Sequence, residues 1–174
     1  MRDLLVVLGL ICILAACKSN AILTHETINN DSTFTILTFE GEEYEKELVI
    51  EEIYNSDSVK ISEIHFKDGK YEGTWKQWHP NGKLKYEGAF KDGLKHGYFK
   101  YYDSNGAVCF EGEMQHGKKE GTWITWYDHA SIEEERQYKN DRLNGKWTYY
   151  YIDGHLMKEE YYVEGQKVRE ENYE

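Results

Sequence analysis

The chain has 174 residues and a formal net charge of -11, with 32 acidic residues against 21 basic ones. A DNA or RNA partner would have to bind against this negative field, so the composition argues against nucleic-acid binding. Aromatic residues make up 15% of the chain, while glycine occurs 15 times and proline once. This mixture favours short strands joined by tight turns over helices, and it predicts an all-β protein.

Residues 1–16 are predicted to be a signal peptide. They contain Arg2 and an apolar run over residues 4–16, which as a helix would cover about 20 Å against roughly 30 Å for a bilayer core. The run is therefore too short for a membrane-spanning helix. It closes with the sequence LAAC, ending at Cys17, which resembles the lipobox of bacterial lipoproteins.

This resemblance implies that the Cys17 sulfur carries a diacylglycerol after cleavage, and that the lipid holds the protein on a membrane surface. An ordinary secretory signal in which Cys17 is incidental is the alternative. Lys18 follows the cysteine, which resembles outer-membrane sorting in Gram-negative lipoproteins. We therefore expect a location in the bacterial cell envelope, facing the periplasm if the host is Gram-negative. The polar residues 17–33 are predicted to be the lipidated N-terminus and a flexible tether with a reach of roughly 20 to 24 Å.

The remaining cysteine is Cys109, since Cys12 leaves with the signal peptide and Cys17 is acylated. An internal disulfide is therefore excluded in the processed protein. Cys109 is predicted to be a half-buried strand residue, and the alternative is a redox-active or intermolecular thiol.

Residues 34–72 are predicted to form an N-terminal strand region. A strand is expected over residues 34–39, followed by a solvated acidic stretch over residues 40–48. Residues 49–72 keep the register of the repeats that follow but lack their first glycine and tryptophan. They are interpreted as a degenerate capping repeat, which an array needs where its edge meets solvent.

Residues 73–168 contain four copies of a 24-residue unit without an insertion. Three columns of aligned residues define the unit: Gly73, Gly97, Gly121 and Gly145; Trp75, Phe99, Trp123 and Trp147; and Glu87, Glu111, Glu135 and Glu159. Each unit predicts a β-hairpin with one apolar packing face. Because a single hairpin is marginally stable, the units must stack. The predicted fold is an elongated single-layer antiparallel sheet of about ten strands, ended by the charged tail 169–174.

The turns within the units are predicted from Asn-Gly and Asp-Gly pairs. The pairs at 81–82, 105–106 and 153–154 are expected to supply the two positive-φ residues of a tight hairpin turn. His129 and Ala130 stand at the same place in the third unit, so that turn is expected to be wider or strained. Asp92-Gly93 and its equivalents are predicted to turn the chain toward the next unit.

The complete pattern, G-x-W-x-x-W/Y-x-x-N-G-x-x-x-x-E-G-x-F-x-x-G, resembles the MORN repeat, in the bacterial variant found in proteins often labelled antitoxin-like. The resemblance covers residues 73–168 and, more weakly, residues 49–72. Glycines of the pattern are missing at Ala130, Arg136, Asp141 and Glu160. The resemblance implies a sheet of stacked hairpins with a binding or scaffolding role, and it does not imply a catalytic site.

No catalytic residue, metal ligand or cofactor site is predicted. The seven histidines fall at different phases of the repeat, and the glycines recur singly at turns and not in a phosphate-binding loop. A single-layer sheet also offers little concavity in which to desolvate a carboxylate. We therefore expect a protein that is not an enzyme. The glutamate column is predicted to pair with cross-strand lysines, with binding of a cation as the alternative.

The aromatic ladder is predicted to be mainly the core of the array, with part of it exposed as a binding strip, because Trp and Tyr often carry binding energy. The candidate residues are Trp75, Trp78, Tyr101, Tyr102, Trp123, Trp126, Trp147, Tyr149 and Tyr150. The first hypothesis is a membrane-anchored binding or scaffolding lipoprotein. The alternatives are an antitoxin or immunity protein that neutralises a partner protein, and a module that binds cell-wall carbohydrate. Recognition of anionic lipid by the repeat is disfavoured by the net charge.

Overall fold

The computed structural model describes residues 6–7, 23–30, 32–41, 45–128 and 130–173. The predicted lipid-attachment residue Cys17 and most of the predicted signal peptide lie outside the described residues. Within the described part, no helix is long and apolar enough to cross a membrane. The strands are β1 (Val6–Val7), β2 (Leu23–Asn29), β3 (Thr33–Glu40), β4 (Glu47–Asn55), β5 (Lys60–Lys67), β6 (Lys70–Trp78), β7 (Leu84–Lys91), β8 (Leu94–Lys95), β9 (Gly97–Tyr102), β10 (Val108–Gln115), β11 (Lys118–Trp126), β12 (Ile132–Lys139), β13 (Arg142–Tyr150), β14 (Leu156–Val163) and β15 (Gln166–Asn172).

All strands belong to one open antiparallel sheet in which neighbours in sequence are neighbours in space. The short strand β8 pairs with β7 beside β9, so β8 and β9 are two parts of one strand interrupted at His96. This architecture confirms the predicted sheet of stacked hairpins. It follows from the repeat, because each hairpin finds its packing partner in the next copy along the chain.

The N-terminal end of the sheet differs from the prediction. β2 pairs with β3 from Leu23 opposite Glu40 to Asn29 opposite Phe34, and β3 pairs with β4. Residues 23–29 were expected to belong to a flexible tether, and that expectation is wrong for them. The β-branched residues Thr24, Thr27 and Ile28 make this polar segment competent to form a strand where β3 offers its edge.

The additional hairpin changes the role of residues 49–72. They supply all of β5 and parts of β4 and β6, and β3 pairs with the outer edge of β4. The degenerate repeat is therefore an internal unit of the sheet, and its interpretation as the solvent-facing cap is wrong. The sheet also has more strands than the ten predicted. The predicted strand over residues 34–39 is confirmed within β3.

The tight turns lie between the units. Asp92 and Gly93 have φ values of 52° and 82°, so both central residues are in the left-handed region, as in a type I′ hairpin turn. The same geometry recurs at the equivalent pairs, which are Asp68-Gly69, His116-Gly117, Asn140-Asp141 and Glu164-Gly165. The predicted turns toward the next unit are confirmed, and at 140–141 the chain makes the turn without glycine.

The turns within the units are wider than predicted. Gly82 has a φ of 80°, whereas Asn81 has no positive φ. The His79 N–H donates to the Lys83 carbonyl at 2.8 Å, and the Gly82 N–H donates to the His79 carbonyl at 2.8 Å. The expectation that Asn81 and Gly82 form a two-residue turn is therefore wrong, because only one left-handed residue is needed in this longer loop.

The loop within the third unit has the same length as those of the other units. The Tyr127 N–H donates to the Ser131 carbonyl at 2.9 Å, the same spacing along the chain as His79 to Lys83. The Asp128 carboxylate accepts the N–H groups of Ala130 and Ser131, each at 3.0 Å. The loop is therefore not wider than the others, and His129 lies outside the described residues.

The apolar core is a set of rings on one side of the sheet, near its middle. Phe99 is fully buried, and Met114 and Trp123 are each 8% exposed. Half-buried rings pack against them, namely Trp75, Tyr86, Phe110 and Tyr138. The core is thus formed between units and not within one, as expected for a single-layer sheet of repeats.

Candidate functional site

The sheet has two chemically different faces, because side chains alternate along each strand. We call the side that carries Trp75, Phe99, Trp123 and Trp147 the aromatic face, and the side that carries Glu87, Glu111, Glu135 and Glu159 the glutamate face. Ring contacts along the aromatic face join successive units: the centroids of Trp75 and Phe99 are 6.5 Å apart, and those of Phe110 and Trp123 are 6.4 Å apart.

The nine residues predicted as a binding strip are divided between these faces. The aromatic face carries Trp75, Tyr101, Trp123, Trp147 and Tyr149, and the glutamate face carries Trp78, Tyr102, Trp126 and Tyr150. The two tryptophans of one unit are three positions apart, an odd spacing that sends them to opposite sides of a strand. The nine residues therefore do not form one continuous strip.

The glutamate face is held together by its own polar groups. The Lys100 ammonium lies 2.9 Å from Glu111, and the Lys146 ammonium lies 2.6 Å from Glu159. These contacts confirm the predicted lysine partners for two glutamates of the column. The Tyr102 hydroxyl instead donates to Glu87 at 2.6 Å.

Tyrosine is thus a second type of partner for the glutamate column, in addition to the lysine predicted from the sequence. The Tyr150 hydroxyl donates to Glu135 at 3.3 Å, fifteen residues away, the same separation as between Tyr102 and Glu87. Burial and the hydrogen bond to Glu87 raise the pKa of Tyr102 to about 12. These carboxylates therefore bind the hydroxyl group of the next unit, which gives them a structural role.

On the aromatic face, one position of the unit decides how the next unit packs. A Cβ atom added at Gly88 or Gly112 would lie closer than 3.0 Å to the ring of Phe99 or Trp123. Arg136 takes this position in the third unit, and its guanidinium carbon lies 4.3 Å from the centroid of the Trp147 ring. The missing glycine is thus replaced by a cation–π contact.

The aromatic face contains a groove of about 340 Å³ over the central units. Its lining includes the buried Phe99, Met114 and Trp123, the half-buried rings of Tyr86, Phe110 and Tyr138, and the cationic side chains of Lys95, Lys119 and Arg136. We call this site the cationic groove. Its lining contains no acidic side chain and no histidine.

Two of the three cations have no ion-pair partner among the described residues. The Lys119 ammonium lies 4.4 Å from the centroid of Trp123 and 4.9 Å from that of Tyr138. The Lys95 ammonium lies 5.6 Å from the centroid of Phe99. Both lysines thus rest their cationic ends over aromatic rings, and the site has an excess of positive charge on a chain with a net charge of -11.

Arg136 completes the site. One of its terminal nitrogens pairs with Glu134, while its Nε atom is buried and has no hydrogen-bond partner. Burial and the nearby Arg136 charge lower the pKa of Lys119, and Asp141 acts in the opposite direction. An anion bound between the two cations would relieve this repulsion, so the electrostatics of the groove favour an anionic ligand.

The other candidate groups are placed as follows. Among the described residues, no group of three or more His, Cys, Asp or Glu side chains is arranged to hold a metal ion. Cys109 is half-buried in β10, as predicted, and burial raises the pKa of its thiol, which lowers its reactive thiolate fraction. The three cations of the groove were not predicted from the sequence. Lys95 and Lys119 stand 24 residues apart, and this shared repeat position was the available signal.

Three segments of the chain match the MORN repeat variant family, over residues 71–92, 95–116 and 143–164. No curated protein matches the chain. The unit between the second and third segments is the one in which Ala130, Arg136 and Asp141 replace glycines of the pattern. The chain therefore contains repeats of the MORN variant type, which indicate a module for binding or scaffolding.

Proposed function

We propose that this chain is a non-enzymatic, lipid-anchored protein of the bacterial cell envelope that uses its MORN-type repeats to bind a partner protein on the aromatic face. The observation that carries the proposal is the cationic groove. It combines half-buried aromatic rings with two unpaired ammonium groups. A partner protein can contact aromatic rings that are not fully buried and can pair with cations that have no ion-pair partner of their own.

The two faces differ in whether their charged side chains are already paired with other groups of the described residues. On the glutamate face, Glu87, Glu111 and Glu159 already bind tyrosine hydroxyl or lysine ammonium groups of the same chain. On the aromatic face, the ammonium groups of Lys95 and Lys119 lie over rings and have no ion-pair partner in the part of the chain that the structure describes. A partner on the aromatic face would thus gain charge pairs without displacing internal ones, which favours that face.

Membrane anchoring is supported by the lipobox-like sequence that ends at Cys17. In the proposed protein, five residues lie between Cys17 and the start of β2 at Leu23. Even fully extended, this connection covers only about 20 Å. The first hairpin would therefore be held close to the membrane, while the cationic groove, several strands away along the sheet, remains free to meet a partner.

Anchoring can be tested by expressing the full chain in bacteria that are fed an alkyne-labelled fatty acid. We expect the label on the protein and the protein in the membrane fraction, with both lost in Cys17→Ser and retained in Cys109→Ser. An unlabelled wild-type protein in the soluble fraction would contradict the lipid anchor.

Partner binding can be tested with a photo-crosslinking amino acid placed in living cells at Tyr138, in the groove, or at Tyr98, which is 54% exposed and lies on the glutamate face. We expect a discrete crosslinked protein from position 138 and none from position 98. Equal products from both positions, or none from 138, would contradict binding on the aromatic face. Neutralisation of a toxic partner and binding of cell-wall glycan stay hypotheses. The first predicts a crosslinked protein that is harmful when expressed alone, and the second predicts retention on purified cell wall.

A further inference from the structure

We infer that the cationic groove takes an acidic segment of a polypeptide, whose carboxylates pair with Lys95, Lys119 and Arg136. This inference rests on the proposed function, because it names the chemistry of the partner that would lie on the aromatic face. The structure supports it through the charges of the groove and the positions of its rings, while the negative field of the rest of the chain limits the acidic segment to a short one.

The spacing of the cations suits more than one carboxylate. Lys95 and Lys119 occupy the same position in successive units, and the Gly117 N–H donates to the Lys95 carbonyl at 2.8 Å, so their strands are close neighbours. Two strand spacings place equivalent residues about 10 Å apart. A short segment with two or three acidic side chains can therefore reach both lysines at once.

Arg136 provides the third point of attachment. A guanidinium carries five N–H donors, and a carboxylate commonly accepts two of them in parallel. Arg136 uses one terminal nitrogen for Glu134, stacks on Trp147 and leaves its buried Nε without a partner. The side chain of Arg136 is 32% exposed, so a carboxylate in the groove could accept from the terminal N–H groups that Glu134 leaves unused.

The groove is less suited to a neutral sugar. A sugar ring binds by lying on an open aromatic face, but Phe99 is fully buried and Trp123 is 8% exposed. The Lys119 ammonium also lies over the Trp123 ring, at 4.4 Å from its centroid. The groups that remain accessible to a ligand are thus cations above rings, which select a carboxylate and the apolar part that carries it.

A long polyanion is disfavoured by the charge of the whole chain. With a net charge of -11, an extended acidic polysaccharide or nucleic acid would be repelled wherever it left the groove. In a short peptide segment that mixes acidic and apolar residues, every carboxylate can lie next to one of the three cations. Inside the groove the attraction is stronger than in water, because the rings and buried side chains lower the local dielectric constant.

The inference can be tested by selecting random short peptides displayed on phage against the full chain, with the fatty-acylated protein held in detergent. We expect the selected peptides to be enriched in Glu and Asp beside apolar residues. Replacing their acidic residues by Gln or Asn should weaken binding by about tenfold or more, as should Lys119→Gln or Lys95→Gln in the protein. Lys119→Arg should keep most of the affinity.

Lys118→Gln is the matched control, because it removes the same charge from the neighbouring exposed residue and should change affinity less than about twofold. Urea denaturation of every variant checks that the sheet is intact. Selected peptides without acidic enrichment, or with equal affinity for Lys119→Gln and Lys118→Gln, would overturn this inference and leave the proposed function standing. A polygalacturonate chain that displaces the peptides more effectively than acidic peptides do would also overturn it. If selection yields no peptide for this face, the proposed function fails as well.

Discussion

The aromatic face is packed through apolar side chains in the middle of the sheet and through charged and polar groups at its C-terminal end. In the middle, Phe99, Met114 and Trp123 form a buried apolar cluster. At the end, Glu160 is 6% exposed on the same face, and its carboxylate accepts hydrogen bonds from a hydroxyl group and from ammonium groups. The first two repeats pack a ring of the next repeat over a glycine, whereas the last repeat buries a carboxylate that its own strands satisfy.

The difference can be traced to one position of the unit. Gly88 and Gly112 leave space for a ring of the next unit. Arg136 stands at the same position in the third unit, and its guanidinium stacks on the Trp147 ring. Glu160 stands at the same position in the last unit. It accepts hydrogen bonds from the Tyr162 hydroxyl at 2.7 Å and the Lys158 ammonium at 2.9 Å.

The polar character continues into the strands on either side of Glu160. Its carboxylate is held by Lys158, Tyr162 and Lys167, so the space that a glycine leaves open in the first two repeats is filled by polar contacts. The last strand, β15, is exposed along most of its length and carries charged residues of both signs. Charged edge strands discourage pairing with a strand of another molecule.

The largest effect is expected from Phe99→Ala, which removes the one fully buried side chain of the central cluster. We expect a loss of about 3 to 5 kcal/mol in the free energy of unfolding, because removal of the buried ring leaves a cavity between units. Urea denaturation followed by tryptophan fluorescence measures it. Val168→Ala in β15, where the side chain is 62% exposed, is the matched change at the end of the sheet and should cost less than about 0.5 kcal/mol. Similar costs for the two variants would refute the contrast between the regions.

The next effect is expected from Gly112→Ala, whose added methyl group would overlap the Trp123 ring. Gly112 has no positive φ, so the cost is steric and not conformational. We expect a loss of about 3 kcal/mol, at the upper end of the range for overpacked cores. In a Trp123→Ala background the same substitution should cost much less. An unchanged cost in the double variant would show that the glycine is needed for another reason.

The C-terminal end should be tested through the acid sensitivity of Glu160. Burial opposes ionisation of this carboxyl, but hydrogen bonds from Tyr162, Lys158 and Lys167 outweigh it and lower the pKa to about 2. A folded pKa below the ordinary value of 4.5 stabilises the fold above about pH 4.5, and this contribution is lost as the pH falls toward 2.

We therefore expect Glu160→Gln to cost about 2 kcal/mol at neutral pH, within the range for hydrogen bonds to charged groups, and to reduce the slope of stability against pH between 4.5 and 2. Urea midpoints measured across this pH range provide both values. A variant that keeps the wild-type slope would show that other carboxyl groups account for the acid sensitivity.

The smallest effect is expected from Tyr102→Phe on the glutamate face, which deletes the hydrogen bond to Glu87 and keeps the ring. We expect a loss of about 1 kcal/mol. Tyr98→Phe is the control, because Tyr98 is 54% exposed and should tolerate the change within about 0.5 kcal/mol. If both substitutions are neutral, the tyrosine–glutamate contacts are not part of what holds successive units together.

Much of this fold could be predicted because the repeat places glycines and aromatic residues at fixed positions. The Asp92-Gly93 turn, the strands on either side of it and the stacking of hairpins all followed from that spacing. The strand at residues 23–29 could not be predicted, since its polar sequence becomes a strand only where β3 provides an edge. The loop at Asn81 and Gly82 was also misassigned, because its span depends on hydrogen bonds across the hairpin.

The candidate site was predictable only in part. Trp123 and Trp147 were expected in an aromatic ladder, and the structure places both on the aromatic face. Trp78 and Tyr102 were expected beside them but lie on the glutamate face. Arg136 was noted only as a departure from the glycine pattern, and its position over Trp147 gives that departure a role.

The sequence by itself determined the period of 24 residues, the antiparallel class and the order of the repeat strands, because turn chemistry and local side-chain spacing act over a few residues. Only the tertiary structure decided which cations lie over which rings, where the groove opens and which groups hold the buried Glu160. Those features depend on contacts between residues of successive strands, and no local pattern fixes where such side chains meet.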